Sequence, residues 1–139
     1  MTIEFDRSQA PSPRESMHSE LLLTLSRQDI PNTSHLGLGH TFDFAGWLKL
    51  KQTHDIPVLM ILEQVTAQGE TWVLVDTARV RNATGVVLMS GRIETKEQRI
   101  KELRLYVCHP NPHLQVEVEE LRFNGNLVRK DYIDAANVG

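Results

Sequence analysis

The stretch HTFDFAGWLKLK, residues 40–51, decides the fold of this chain, because apolar and polar side chains alternate along it. Phe42 and Phe44 fall on one side, whereas Thr41 and Asp43 fall on the other. Alternation of this kind is typical of a β-strand that buries one face and exposes the other. The stretch therefore predicts a half-buried strand, in which Gly46 is a candidate for a bulge or bend before the alternation resumes at Trp47.

Alternation or a continuous apolar run recurs through the rest of the chain. The further predicted strands are Val58–Leu62, Thr71–Val80, Val86–Ser90, Ile100–Cys108, Leu114–Val118 and Leu127–Ile133. Asn124-Gly125 predicts a hairpin, because both residues accept a positive φ. Glu119-Glu120 shifts the alternation by one residue, which indicates a β-bulge. The links are too short for parallel crossovers, so we expect about six to eight antiparallel strands.

The segment before these strands has a different pattern. Met17–Gln28 places Leu21, Leu22 and Leu25 at neighbouring helical positions, and Pro31 follows. This spacing predicts a short helix, whose leucines must pack on the sheet because so short a helix is marginal alone in water. The fold class that we expect is mainly β (α+β), with one N-terminal helix packed on an antiparallel sheet. A flattened barrel and a sandwich both fit it.

The chain of 139 residues fits one domain better than two. Residues 1–16 contain several Ser and Pro and few large apolar side chains, so we expect a flexible tail. Residues 17–133 are predicted to form a single β-rich domain. The last segment, 134–139, is predicted to be a frayed C-terminus.

Charge and composition argue against several classes of protein. The formal net charge is -3, and Lys and Arg are scattered among Asp and Glu, so we expect no nucleic-acid partner. No stretch approaches the about 18–20 apolar residues that span a bilayer, which predicts no membrane partner. The chain has a single cysteine and no apolar run at its N-terminus. These features favour a cytoplasmic location.

Cys108, His109 and His113 form the densest group of potential metal ligands. A thiolate and two imidazoles suit zinc or copper, but structural zinc sites usually contain two pairs of ligands and one pair is missing here. We therefore expect a proline-rich loop with exposed histidines and a partly buried cysteine, without a metal or another cofactor. A metal-binding protein that uses these three residues is an alternative hypothesis.

Asp76 lies within an otherwise apolar strand. A buried carboxylate without a partner would have a raised pKa, which would make it a candidate for acid–base chemistry. Paired with His40 or His54, it would serve a small enzyme that has an apolar cavity between helix and sheet. If the strand has one solvated face, we expect Asp76 to lie there beside Trp72 and Leu74.

Trp47 and Trp72 are the only tryptophans, and each is either a core side chain or a binding anchor. Several predicted strands are apolar on both faces, so one sheet with one helix leaves apolar surface for a second subunit to cover. We therefore predict a non-catalytic binding or assembly module that acts as a homodimer. Its recognition surface would contain Trp47, Trp72 and Leu74. It would receive a protein segment or an apolar small molecule.

Overall fold

The computed structural model describes residues 2–4, 11–30, 40–51, 55–80, 84–96 and 99–131. Within these ranges the chain is almost entirely β-strand, with one 3-10 turn at Pro13–Glu15. The strands are β1 (Thr2–Glu4), β2 (His18–Ser26), β3 (His40–Lys51), β4 (Ile56–Thr66), β5 (Gly69–Val80), β6 (Thr84–Thr95), β7 (Glu102–His109), β8 (Gln115–Phe123) and β9 (Asn126–Arg129). No helix in these ranges has the length and apolar character that a membrane span requires.

The strands form two sheets that face each other as a sandwich. The five-stranded sheet has the order β1-β6-β3-β8-β9, and the four-stranded sheet has the order β2-β7-β4-β5. Neighbouring strands are antiparallel, except that β1 runs parallel to β6. Among the described strands, β4–β5 and β8–β9 are hairpins, and the other connections pass from one sheet to the other. This arrangement is similar to that of double-sheet jelly rolls.

The core lies between the sheets and is built from alternate residues of each strand. In β3, the Phe42 and Phe44 side chains point inward, and both of their rings lie against the ring of Phe123 from β8. Met60 and Leu62 of β4 face them from the opposite sheet within the same cluster. Each such buried side chain contributes about 1.5–3 kcal/mol to folding. The strand predicted from residues 40–51, and the mainly antiparallel β fold, are confirmed.

The predicted N-terminal helix, and with it the predicted α+β class, is wrong, because the residues within Met17–Gln28 form strand β2, which pairs with β7 in the second sheet. The register of this pair shifts between Leu21 and Leu23, so Leu22 is an extra, bulged residue. The bulge lets Leu22 and Leu25 both reach the core. A bulged strand thus reproduces the three-residue spacing of apolar side chains that also marks a helix. Pro31 lies outside the described residues.

One edge of the sandwich closes where β5 meets β6. The Oδ2 atom of Asp76 accepts a hydrogen bond of 2.8 Å from the backbone N–H of Ser90. A Cβ atom at Gly91 would lie 2.5 Å from the backbone oxygen of Val75, so the two backbones approach more closely than a side chain allows. Glycine is therefore needed at this position for steric reasons.

The opposite edge closes where β9 meets β2. The Nη1 atom of Arg129 donates hydrogen bonds to the backbone oxygens of Leu21 and Leu22, at 3.2 and 2.9 Å. The same guanidinium forms an ion pair of 2.8 Å with Asp131. Arg129 therefore connects the edge strands of both sheets to the residues that follow β9.

The outer face of the four-stranded sheet carries a second apolar cluster, made of Ile61, Tyr106 and Cys108. Residues 11–17 cover part of it, since Met17 packs on the cluster and the Arg14 guanidinium lies 4.0 Å from the ring centroid of Tyr106. Arg14 also pairs with Glu63 at 2.7 Å, and the Glu63 side chain is only 5% exposed. This segment overlaps the predicted tail, and the predicted domain boundaries stay predictions.

Gly91→Ala is expected to lower the free energy of unfolding by about 1–3 kcal/mol, because the added methyl group forces β5 and β6 apart. Urea denaturation measures the change. Ser90→Ala is the matched control: its exposed side chain is removed, its backbone N–H still reaches Asp76, and we expect a change within about 0.5 kcal/mol. Equal stability of the Gly91→Ala variant and the wild-type protein would contradict the close approach.

Arg14→Ala and Glu63→Gln are each expected to destabilise the protein, and the double variant less than the sum of the two. We expect a coupling free energy of about 1 kcal/mol in a double-mutant cycle. The Arg14 side chain is 35% exposed, so solvent screening keeps this value below that of a fully buried pair. Strictly additive effects would show that residues 11–17 are not held by this ion pair.

Candidate functional site

Trp47 lies on the outer face of the five-stranded sheet, away from the core. Its neighbours along β3, Gly46 and Leu48, point inward and are buried, whereas the Trp47 side chain is only partly buried. Leu88 of β6 lies directly opposite Trp47 in the sheet and is 51% exposed. The same face therefore presents a partly exposed indole beside exposed aliphatic surface.

A β-bulge places two carboxylates next to this indole. Trp47 pairs with Glu120 of β8, but the next residue, Leu48, pairs with Val118, so Glu119 is an extra residue on β8. A bulge of this type bends the strand and redirects the side chains around it. Glu119 and Glu120 are both partly buried. The bulge that the sequence predicts at these two residues is confirmed.

Residues after β9 hold the bulge in place. The backbone N–H of Asp131 donates to the backbone oxygen of Val118 at 2.8 Å, and Asp131 Oδ2 accepts from the N–H of Val118 at 3.2 Å. On the other side of the bulge, Leu121 pairs with Arg129. Glu119 and Glu120 lie between these two contacts along β8. Lys130 lies between Arg129 and Asp131 and so comes next to the bulge.

These residues line one open groove. Its volume is about 440 Å³, and its described lining consists of Trp47, Glu119, Glu120 and Lys130. Ligand pockets in proteins have volumes of about 300–1,000 Å³ and usually combine an apolar floor with a few polar groups. The groove therefore has the size and the mixed lining of a small-molecule site.

The charges in and around the groove are largely compensated. Glu120 forms an ion pair of 2.7 Å with Arg122, whose hydrogen bond lowers the pKa of the Glu120 carboxyl, and the positive charge of Lys130 acts in the same direction. Glu119 has no ion-pair or hydrogen-bond partner among the described residues. Two carboxylates and two cations thus meet at the bulge, and one carboxylate is available to a ligand.

Trp72 and Leu74 do not belong to the sheet that carries this groove. They lie on the outer face of the four-stranded sheet. Both pack against the cluster of Ile61, Tyr106 and Cys108, which residues 11–17 partly cover. The predicted recognition surface therefore divides into two, because Trp47 belongs to one sheet while Trp72 and Leu74 belong to the other.

A second bulge separates Asp76 from Trp72 and Leu74. Leu74 pairs with Ile61 and Asp76 pairs with Met60, so Val75 is the extra residue, and Asp76 shares the inward side of Met60. The expectation that Asp76 lies beside Trp72 and Leu74 is wrong for this reason. Both Asp76 oxygens accept backbone hydrogen bonds at 2.8 Å, which is a structural role at the sheet edge.

The structure does not bring His40 and Asp76 together. His40 is buried at the start of β3, and its ring stacks on that of Phe42 with centroids 5.6 Å apart. No described contact joins His40 to Asp76. His54 lies outside the described residues.

Cys108, His109 and His113 do not converge either. Cys108 belongs to the outer cluster, whereas His109, the next residue of the strand, points to the other side. His109 is buried rather than exposed; burial lowers the pKa of its imidazole, and its ring stacks on His18 at 6.1 Å. His113 is exposed in the turn that follows. The described residues contain no group of three His, Cys, Asp or Glu side chains that could hold a metal ion.

Fold and site together define a β-sandwich with a tryptophan-lined groove on the outer face of one sheet. Comparison of the chain with protein families, with curated proteins and with solved structures found no match. Function is therefore argued from the groove itself. The sequence analysis identified Trp47 and the bulge separately, but it gave no functional role to Glu119, Glu120 or Lys130. The sequence feature that could have indicated the groove was the shift of alternation at Glu119-Glu120, which lies opposite an outward-facing tryptophan in the sheet.

The Cys108 thiol is expected to react slowly in the folded protein, because burial raises its pKa to about 11 and the thiolate is the reactive form. At pH 8, an aromatic disulfide reagent should label the native protein at least about 100-fold more slowly than the urea-unfolded protein, in which the pKa returns towards its ordinary value. Equal labelling rates would show that the cluster beneath residues 11–17 is open to solvent.

Proposed function

We propose that this protein is a non-catalytic binding module whose ligand site is the groove at Trp47. The observation that carries the proposal is the bulge in β8, which places Glu119 and Glu120 beside a partly exposed indole. Indole rings supply a large, rigid contact surface at a low entropic cost, and they are common anchors in binding sites. Carboxylates and an ammonium group at the rim would orient the ligand.

Binding is favoured over catalysis by the state of the carboxylates. A pair of carboxyl groups performs general acid–base chemistry when one of them has a raised pKa and holds a proton near neutral pH. The ion pair with Arg122 instead lowers the pKa of Glu120. Asp76 is occupied with backbone amides, so the alternative of an enzyme that uses Asp76 and a histidine has less support.

The small size of the groove favours a small molecule over a protein segment. A stable protein interface would need to bury about 800 Å² on each partner. Homodimerisation is a separate question. Apolar residues on both faces of several strands led us to expect a second subunit, but the opposite sheet and residues 11–17 cover much of this surface within one chain. A homodimer stays a prediction.

A spectroscopic titration tests the site. In a Trp72→Phe background, Trp47 is the only indole, so its N–H resonance and its fluorescence report on the groove alone. Phenol, used as a small amphipathic probe, is expected to shift the Trp47 N–H signal in a saturable manner. Trp47→Ala should abolish the shifts that phenol causes at the backbone amides of β8.

Lys51→Ala is the matched control, because Lys51 also points outward from β3 but lies at its end, where its 3.5 Å pair with Glu117 is exposed. Its phenol titration should equal that of the parent protein, because Lys51 is not part of the described lining of the groove. The loss of an exposed ion pair should also have little effect on stability. Retained dispersion of amide resonances shows that each variant is folded. Phenol shifts that are scattered over the surface, or that persist without Trp47, would contradict the proposed site.

A further inference from the structure

We propose that the ligand of the Trp47 groove is a neutral saccharide. This inference rests on the proposed function and adds the chemical class of the ligand. It follows from three properties of the groove: the compensation of its charges, the combination of acceptors and donors around an indole, and the way in which it opens to solvent.

Charge compensation argues against an ionic ligand. An anion placed in the groove would meet the Glu119 carboxylate, whereas a cation would meet the Lys130 ammonium. Binding of a quaternary ammonium group usually relies on a cage of several aromatic rings. Trp47 is the one aromatic side chain in the described lining of the groove. A ligand without net charge avoids both repulsions.

The polar groups of the groove match hydroxyl groups. A carboxylate has two oxygens and accepts hydrogen bonds from two neighbouring hydroxyls at once, while an ammonium donates to hydroxyl and ring oxygens. Glu119, which has no partner among the described residues, is the acceptor that the protein leaves available. Few neutral ligands offer several donors and acceptors on adjacent atoms, and sugars do so on every ring.

The indole supplies the complementary apolar contact. One face of a pyranose ring carries C–H groups, and this face can lie flat on the electron-rich face of Trp47. A purely apolar ligand would instead desolvate the Glu119 carboxylate without offering it a partner, which is unfavourable. The groove has a volume of about 440 Å³ and is open to solvent. It can therefore accept one sugar unit of a longer chain without enclosing the ends of that chain.

Titration with neutral disaccharides tests the inference. The probes are cellobiose, maltose, lactose, xylobiose and mannobiose, each followed by the Trp47 N–H signal in the Trp72→Phe background and by shifts at β8 amides. For so small and open a site we expect at least one of them to bind with a Kd on the order of 0.1–10 mM. This Kd should change less than about twofold between 50 and 500 mM NaCl, because screening weakens ionic contacts and leaves neutral ones.

The variants separate the contributions of the side chains. Glu119→Gln keeps the shape of the side chain but removes its charge, and we expect disaccharide binding to weaken about 5–10-fold through loss of charge-assisted hydrogen bonds. Trp47→Ala should abolish binding. Lys51→Ala should bind as the parent protein does. Wild-type affinity in the Glu119→Gln variant would overturn the assigned role of the carboxylate.

Phenol, choline and glucuronate make the outcomes distinguishable. Saturable binding of phenol together with no response to any of the disaccharides at 50 mM, a concentration well above the expected Kd range, would overturn the saccharide assignment and leave the proposed binding site intact. Tighter binding of choline or glucuronate than of every neutral sugar would also overturn it. No response to phenol or to any saccharide would overturn the proposed function itself.

Discussion

The packing of alternate side chains from the two sheets against each other is the constraint on which the rest of this structure depends. β3 and β8 present one apolar face to β4 and β7, and this contact determines which residues of every strand are left to face outward. Trp47 faces outward because Leu48 must be buried. A functional surface on this protein is therefore formed by the side chains that the core does not use, and its position follows from the register of the central strands.

Four register shifts interrupt the described strand pairs, and three of them change the environment of an important residue. The bulge in β2 directs Leu22 into the core, the one at Val75 turns Asp76 to the same side as Met60, and the one at Glu119 brings carboxylates to Trp47. The groove therefore arises from an interruption of the strand pattern. Bulges often lie beside binding and catalytic sites, because they redirect side chains without breaking the sheet.

The sequence reveals strands more reliably than it reveals bulges. Residues 40–51 alternate so regularly that β3 could be predicted with its limits, and Asn124-Gly125 forms the expected hairpin with positive φ values of 50° and 82°. The leucines of β2 misled the prediction, because a bulged strand and a helix share a three-residue spacing. Which outward residues become neighbours depends on strand order, and local patterns contain no information about pairing between strands distant in the sequence.

The two hydrogen bonds between Asp131 and Val118 make the groove depend on the residues that follow β9. β9 has four residues, and short edge strands belong to the parts of a protein that open most readily without global unfolding. Detachment of this strand would release Lys130 and the bulge while the sandwich stayed folded. Ligand binding at the proposed site would therefore be thermodynamically linked to the pairing of β9: a ligand that prefers the intact groove must slow the exchange of the β9 amide hydrogens with solvent.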